Sequence, residues 1–192
     1  MWSRDLNPAV RRLTRFLAVA VVAGMTAACF QPLYGERNAI GGSSLSDALA
    51  AVEVVKIDAP QGSAMSRIAV ETRNELVFEL TGGSGQAPPT HRLIVRMSST
   101  RNALIREVRT GRDEFENFGL DANYSLVRPG TPGTPDVVVA TGTATTRVTY
   151  NIPGAQQRFA RSRAMRDAET QAAKQIAEQI RSRLASHFVA GT

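Results

Sequence analysis

The chain has very little of the chemistry that most enzymes and metal proteins use. Its 192 residues include one cysteine and two histidines. A single cysteine excludes an intramolecular disulfide framework, so the fold must be held by its hydrophobic core. Two histidines, His91 and His187, provide few ligands for a metal centre. Because the sequence also lacks a glycine-rich phosphate loop, a Gly-x-Ser-x-Gly elbow and a two-histidine motif, it predicts a non-enzymatic protein without a cofactor.

Long apolar runs are also scarce. One run near the N-terminus has the features of an export signal. Residues 16–22 are apolar but too short to span a bilayer comfortably, and four arginines with one aspartate flank them on the N-terminal side. This is the pattern of an export signal. The small residues 26–28 form a cleavage zone directly before Cys29.

Cys29 is placed where bacterial lipoproteins carry their lipid anchor. We expect its thiol to take a diacylglycerol, and its freed amino group an N-acyl chain such as palmitate, which together hold a protein on a membrane without a transmembrane helix. The alternatives are an ordinary secretory signal cut near residue 28 and an uncleaved N-terminal anchor. The first would leave a free thiol in an oxidising compartment, which is a liability.

The formal net charge of +6 is divided by this cleavage point. Residues 1–28 hold four arginines and one aspartate, so half of the positive charge belongs to the signal peptide. We therefore do not read the charge as a sign of nucleic-acid binding. The predicted organisation is a signal peptide in residues 1–28, a lipidated N-terminus and flexible tether in residues 29–50, and a single domain in residues 51–190.

Hydrophobic periodicity predicts the element order β-α-β-β-β-α in that domain. Ser63 is expected to cap the first helix, whose charged side includes an Arg67–Glu71 pair, and Gly82 to end it. The small residues Gly142 and Ala144 of the last strand should let a helix pack closely. The fold class is α+β, with a four-stranded mostly antiparallel or mixed sheet and two helices on one face. The strands are predicted at 52–57, 91–97, 118–126 and 138–150, and the helices at about 64–81 and 157–188.

Two further details concern the middle and the end of the domain. A turn, or a bend in the strand, is predicted at residues 98–102, with residues 104–109 continuing the strand. The polar residues of the last helix, Glu169 among them, are expected to face solvent.

Arginines concentrate in the predicted second strand. Arg92 and Arg96 project from the same face if Leu93 points to the core. Guanidinium groups bind phosphate in a bidentate manner, so this face could bind a phosphorylated glycolipid. The competing interpretation is a solvated strand face that keeps an exposed edge from pairing with other chains.

Four segments resemble one known family. Phe-Gln-Pro-Leu-Tyr-Gly at residues 30–35 is similar to the mature start of the lipopolysaccharide-assembly lipoproteins, the LptE family, especially those of alphaproteobacteria. The likeness continues in residues 66–76, 123–126 and 142–150. It therefore covers most of the chain after Cys29, in the same order of elements.

This resemblance implies an outer-membrane lipoprotein that faces the periplasm. It would act as plug and assembly partner of an LptD-type β-barrel and assist lipopolysaccharide insertion into the outer leaflet. Of the family's functional positions, only the lipidated Cys29 carries over by alignment. Arg92, Arg96 and Arg147 are candidate lipopolysaccharide ligands by their chemistry alone.

Two other functions are compatible with a lipid-anchored domain. One is an auxiliary lipoprotein of a phospholipid-trafficking ABC transporter. The other is an anchored envelope hydrolase, which would need a nucleophile and a base within hydrogen-bond reach. The sequence offers no such pair.

Overall fold

A computed structural model describes residues 44–106, 113–131, 133–152 and 158–190 of the chain. Three helices and four strands lie within these ranges. They are α1 (Leu45–Ala50), β1 (Val52–Val54), α2 (Ala64–Thr81), β2 (His91–Arg106), β3 (Asp113–Arg128), β4 (Val137–Asn151) and α3 (Arg158–Ala190). Cys29 and the predicted signal peptide lie outside the described residues and stay predictions.

The four strands form one open mixed sheet in the order β1-β2-β3-β4. β1 runs parallel to β2 over three residue pairs, whereas β2, β3 and β4 are antiparallel along almost their whole length. α2 and α3 pack on one face, which contains the buried side chains of the alternating strands. The predicted α+β class is confirmed, with α1 as an additional helix.

Helix α1 occupies the end of the segment predicted to be a flexible tether. Ser44 caps it through a capping box with Asp47, and Leu49 is only 2% exposed. The prediction that the tether extends to residue 50 is therefore wrong at its C-terminal end. Six residues are too few to show a helical hydrophobic period, so composition alone suggested a linker.

β2 continues as one strand through the polar stretch where a turn or bend was predicted. Ser98 pairs with Asp121 and Asn102 with Asn117 in an unbroken register. The expectation of a turn at residues 98–102 is wrong because pairing with β3, which is not visible in the local sequence, holds these polar residues extended. β1 is shorter than predicted and ends at Val54, although Ile57 is also buried.

The ends and the buried stripes of the long helices follow the sequence closely. Ser63 accepts a hydrogen bond from the Ser66 amide at the start of α2, and Gly82 ends the helix with φ +62°. In α3, Met165 is partly buried, and the apolar residues that follow it at intervals of three and four are buried: Ala168, Ala172, Ile176, Ile180 and Leu184. Further alanines between them are buried as well. These small side chains let α3 lie close to both α2 and the sheet.

Gly142 does not receive a helix as predicted. Its neighbour across the strand pair is Tyr124, and a Cβ atom at 142 would lie 2.5 Å from the Tyr124 hydroxyl. The aromatic ring therefore occupies the space that the glycine leaves. α3 packs on β4 beside fully buried Ala144, as Gln179 shows by donating to the Thr145 carbonyl at 3.0 Å.

Candidate functional site

The candidate site is the face of the sheet opposite the helices, which we call the outer face. Its side chains alternate along each strand with those of the buried core. Hydroxyl, amide and guanidinium groups predominate on it. Its members include Arg92, Ile94, Arg96, Ser98 and Thr100 of β2, Gly119, Asp121, Asn123 and Ser125 of β3, and Thr141, Thr143, Thr145, Arg147 and Thr149 of β4.

Arg92 is held by carboxylates from two sides. Its Nε lies 3.6 Å from Glu53 of β1, the residue opposite it in the sheet register, and its Nη1 lies 3.8 Å from Asp136. All three side chains are about half exposed, so water screens these pairs and each contributes little to stability. Arg92 is therefore locally neutralised rather than poised as an isolated positive charge.

Arg96 lies four residues further along β2 than Arg92 and forms no ion pair with a described residue. It is exposed and lines a groove of about 690 Å³ that also includes Lys56, Arg92, Ile94 and Met97. Glu53, Asp58 and Asp136 also line it, so apolar, basic and acidic groups share this groove. Such a lining can hold a ligand with an anionic group beside an apolar part.

Of the described residues on the outer face, Arg147 forms the ion pair with the shortest distance. Its two terminal nitrogens lie 2.9 and 3.2 Å from the two carboxylate oxygens of Asp121, a bidentate arrangement. Its side chain crosses Gly119, where a Cβ atom would lie 2.9 Å from the Arg147 Cδ atom. The same Cβ atom would lie 2.5 Å from Thr100 Oγ1, so a larger residue at 119 would require the side chains of Thr100 and Arg147 to shift.

The fold brings the three predicted arginines to one face but not into one pocket. Arg92 and Arg96 line the same groove, about 13 Å apart along β2 at the rise of an extended strand. Arg147 lies two strands away, in the row of Gly119 and Thr100. The sequence alternation correctly placed Arg92 and Arg96 on the same face of the sheet. The partners Asp121, Glu53 and Asp136 could not be assigned without the strand register.

On the opposite, helix-covered face, Glu169 links three elements. Its carboxylate lies 2.5 Å from Arg67 of α2 and 3.9 Å from Arg101 of β2. The Glu169 side chain is only 4% exposed, so the expectation that it faces solvent is wrong. Arg67 was expected to pair with Glu71, but the charge buried by packing of α2 on α3 is Glu169, and it attracts Arg67 more strongly than a solvated carboxylate does.

A second polar cluster closes the far end of the helix-covered face. The Tyr150 hydroxyl donates to Glu116, whose other oxygen accepts from Arg161 at 3.1 Å. Burial and the hydrogen bond to Glu116 raise the pKa of Tyr150 from 10.0 to about 12. The positive charge that balances Glu116 thus comes from Arg161 of α3.

Both histidines lie beside Phe188. The centroid of the Phe188 ring is 5.5 Å from that of His91 and 5.7 Å from that of His187. Burial and the nearby positive charges of Arg128 and His187 lower the pKa of His91 below 6.5. Within the described ranges no cluster of three or more potential ligands could hold a metal ion. In the same ranges no helix has the length and hydropathy to cross a membrane.

A match to a protein-family model shows to which family this chain belongs. The LptE model, described as lipopolysaccharide-assembly, matches residues 49–184, which is more than half of the sequence. This chain belongs to the LptE family. The resemblance seen in the sequence is thereby confirmed, and the match covers all seven elements apart from the first residues of α1 and the end of α3. None of the curated proteins matches the chain.

Solved structures share the fold of this LptE-family chain at low sequence identity. A Caulobacter crescentus protein described as a candidate lipoprotein superposes with a TM-score of 0.55 and 21% identity, covering 77% of this chain and 97% of its own. Rare lipoprotein B from Shewanella oneidensis gives a TM-score of 0.47 and 17% identity, covering 72% and 96%. At 21% identity the likeness to the Caulobacter structure concerns the fold alone.

Proposed function

We propose that this chain is a non-enzymatic outer-membrane lipoprotein that serves as plug and assembly partner of an LptD-type β-barrel and assists lipopolysaccharide insertion. Membership of the LptE family carries the proposal. The covalent lipid on Cys29 would anchor the domain on the periplasmic side of the membrane.

The outer face supports a location inside a water-filled barrel. It is a broad sheet surface of threonine, serine, asparagine and arginine side chains, without a helix among the described residues packed on it. The lumen of large barrels is lined by polar groups. A polar, strand-paired surface can therefore meet such a wall without burying unpaired apolar area.

The groove beside Arg96 is the part of this face best suited to a phosphorylated glycolipid. Arg96 is free of ion pairs with described residues, whereas Arg92 and Arg147 already neutralise carboxylates. We therefore propose Arg96 as the first ligand for lipopolysaccharide phosphates. Arg92 and Arg147 would instead stabilise the outer face through their ion pairs with neighbouring carboxylates. Ile94 and Met97 offer apolar contact in the same groove.

Binding of purified lipopolysaccharide tests this assignment. We expect Arg96→Glu to weaken binding about tenfold, because a favourable charge-assisted contact becomes repulsive. Arg163→Glu, an equal charge reversal at an exposed position of α3, is the control and should leave binding unchanged. Both variants should unfold at the wild-type urea concentration. Equal binding by wild type and Arg96→Glu would remove Arg96 from the site.

Reversal of both Arg92 and Arg96 should weaken binding further without unfolding the domain. Arg92→Glu would place a third carboxylate beside Glu53 and Asp136, so a small loss of stability is expected as well. Unchanged binding by the double variant would exclude the groove as the lipopolysaccharide site. The alternative of an ABC-transporter auxiliary lipoprotein has no support from the family match.

A further inference from the structure

We propose that the unpaired side of β2 from Val95 to Arg101, here called the free edge, binds an acidic extended segment of another protein as an added β-strand. The proposal does not require lipopolysaccharide binding, although it shares Arg96 with the groove described above, because its main contacts are backbone groups at the rim of the sheet.

β1 covers only the first part of β2. Its three residues pair with His91, Arg92 and Leu93, and the last hydrogen bond between the two segments joins the Val55 amide to the Leu93 carbonyl at 3.0 Å. Beyond this bond, the described part of the chain supplies no hydrogen bond to that side of β2. β2 itself continues, paired with β3 on its other side.

The direction of the unpaired groups follows from strand geometry. The amide and carbonyl of a strand residue point to the same side, and that side alternates from one residue to the next. The Leu93 carbonyl points toward β1. Val95, Met97, Ser99 and Arg101 therefore direct their amides and carbonyls away from β3, along the free edge. The register shift after Ala103 ends this regular row.

The opposite edge of the sheet is protected in a way that the free edge is not. Side chains of α3 cap outward carbonyls of β4: Gln179 donates to Thr145 at 3.0 Å, and Arg183 donates to Thr143. Covering an edge in this manner prevents strand addition. At the free edge, by contrast, the side chains of residues 98–101 are exposed on both faces of the sheet. They leave room for an added strand beside β2.

Charge selects the occupant. β2 contains four arginines and no acidic residue. Arg96 projects on the outer face and Arg101 on the helix-covered face, where it lies 3.9 Å from Glu169 and remains 43% exposed. A second copy of β2 would bring the same arginines to the edge and repel, whereas an acidic strand places a carboxylate opposite an arginine on whichever face it presents. The occupant we infer is therefore an acidic segment of a different protein.

Amide hydrogen exchange of the whole chain in detergent, measured by NMR, tests the proposal with two synthetic probes. One is a capped ten-residue peptide of alternating glutamate and valine, and the other replaces glutamate by lysine. We expect the acidic peptide to slow exchange of the Met97, Ser99 and Arg101 amides at least tenfold. The basic peptide should leave them unchanged.

Two proline variants provide the matched control. Ser99→Pro removes an amide that points to the free edge and leaves the bonds to β3 in place, so it should abolish the effect of the acidic peptide. Thr141→Pro removes an outward amide on the β4 edge and should not affect it. Equal protection by both peptides, or none by the acidic one, would overturn the proposal.

Protection of these amides without a peptide would overturn it as well. If that protection grows with protein concentration, a second copy occupies the edge. If it does not, another segment of the same chain does.

Discussion

Removing Arg67 should destabilise the protein more than removing Glu169, although both changes abolish the same ion pair. The two partners differ in exposure, since the Glu169 side chain is 4% exposed and the Arg67 side chain 50%. Arg67→Met leaves a carboxylate buried, with Arg101 at 3.9 Å as its remaining cation. Glu169→Gln leaves two arginines that water can solvate.

The expected magnitudes follow from this asymmetry. Leaving one member of a buried pair uncompensated costs about 3–5 kcal/mol, and because Arg101 stays nearby we expect about 3 kcal/mol for Arg67→Met. Loss of a charged hydrogen bond whose remaining partner is hydrated costs about 1 kcal/mol, our value for Glu169→Gln. The double variant should resemble Glu169→Gln, because no charged carboxylate then remains buried.

Urea unfolding followed by circular dichroism measures these free energies. Arg163→Met, at an exposed position of the same helix, is the control and should change stability by no more than about 0.5 kcal/mol. Two results would contradict a buried, uncompensated Glu169: an Arg67→Met variant no more destabilised than Glu169→Gln, or a double variant that loses the sum of the two single effects.

Two further predictions concern the helix-covered face. Gly142→Ala should cost about 1–3 kcal/mol, because the new methyl would lie 2.5 Å from the Tyr124 hydroxyl, whereas Gly85→Ala, with nothing within 4 Å, should cost far less; equal urea midpoints would contradict this. One of the three tyrosines, Tyr150, should ionise near pH 12 in the difference at 295 nm between wild type and Tyr150→Phe. Since the folded state binds this proton more tightly than the unfolded state, its contribution to stability is complete below pH 10 and lost as the pH rises to 12. A titration midpoint near pH 10 would show that burial and Glu116 do not raise the pKa of the Tyr150 phenol.

Local sequence determined the features whose physics is local. Ser63 and Gly82 bound α2 because a cap needs only its neighbouring amides and carbonyls, and the alternation from Phe118 to Leu126 identified a half-buried strand. α1 has a local signal too, the capping box of Ser44 and Asp47, but its six residues show no helical hydrophobic period, and its one buried side chain, Leu49, packs in the core.

The missed features of the site all depend on pairing between distant segments. Arg147 meets Asp121 through the β3–β4 register, and Glu169 meets Arg67 across 102 residues of sequence. The free edge exists because β1 stops at Val54. The β-branched residues in and after β1 predicted a longer strand, over 52–57. Face and charge were thus predictable, whereas partners and edges required the tertiary structure.

Affinity purification from native membranes tests the central claim most directly. The whole chain, tagged at its C-terminus and extracted in mild detergent, should bring down one large β-barrel protein in equal amount, together with lipopolysaccharide. A Cys29→Ala variant should reach the membrane poorly and bring down much less of the barrel. Recovery of the chain without a large β-barrel, or with an inner-membrane ATPase complex instead, would contradict the proposed function.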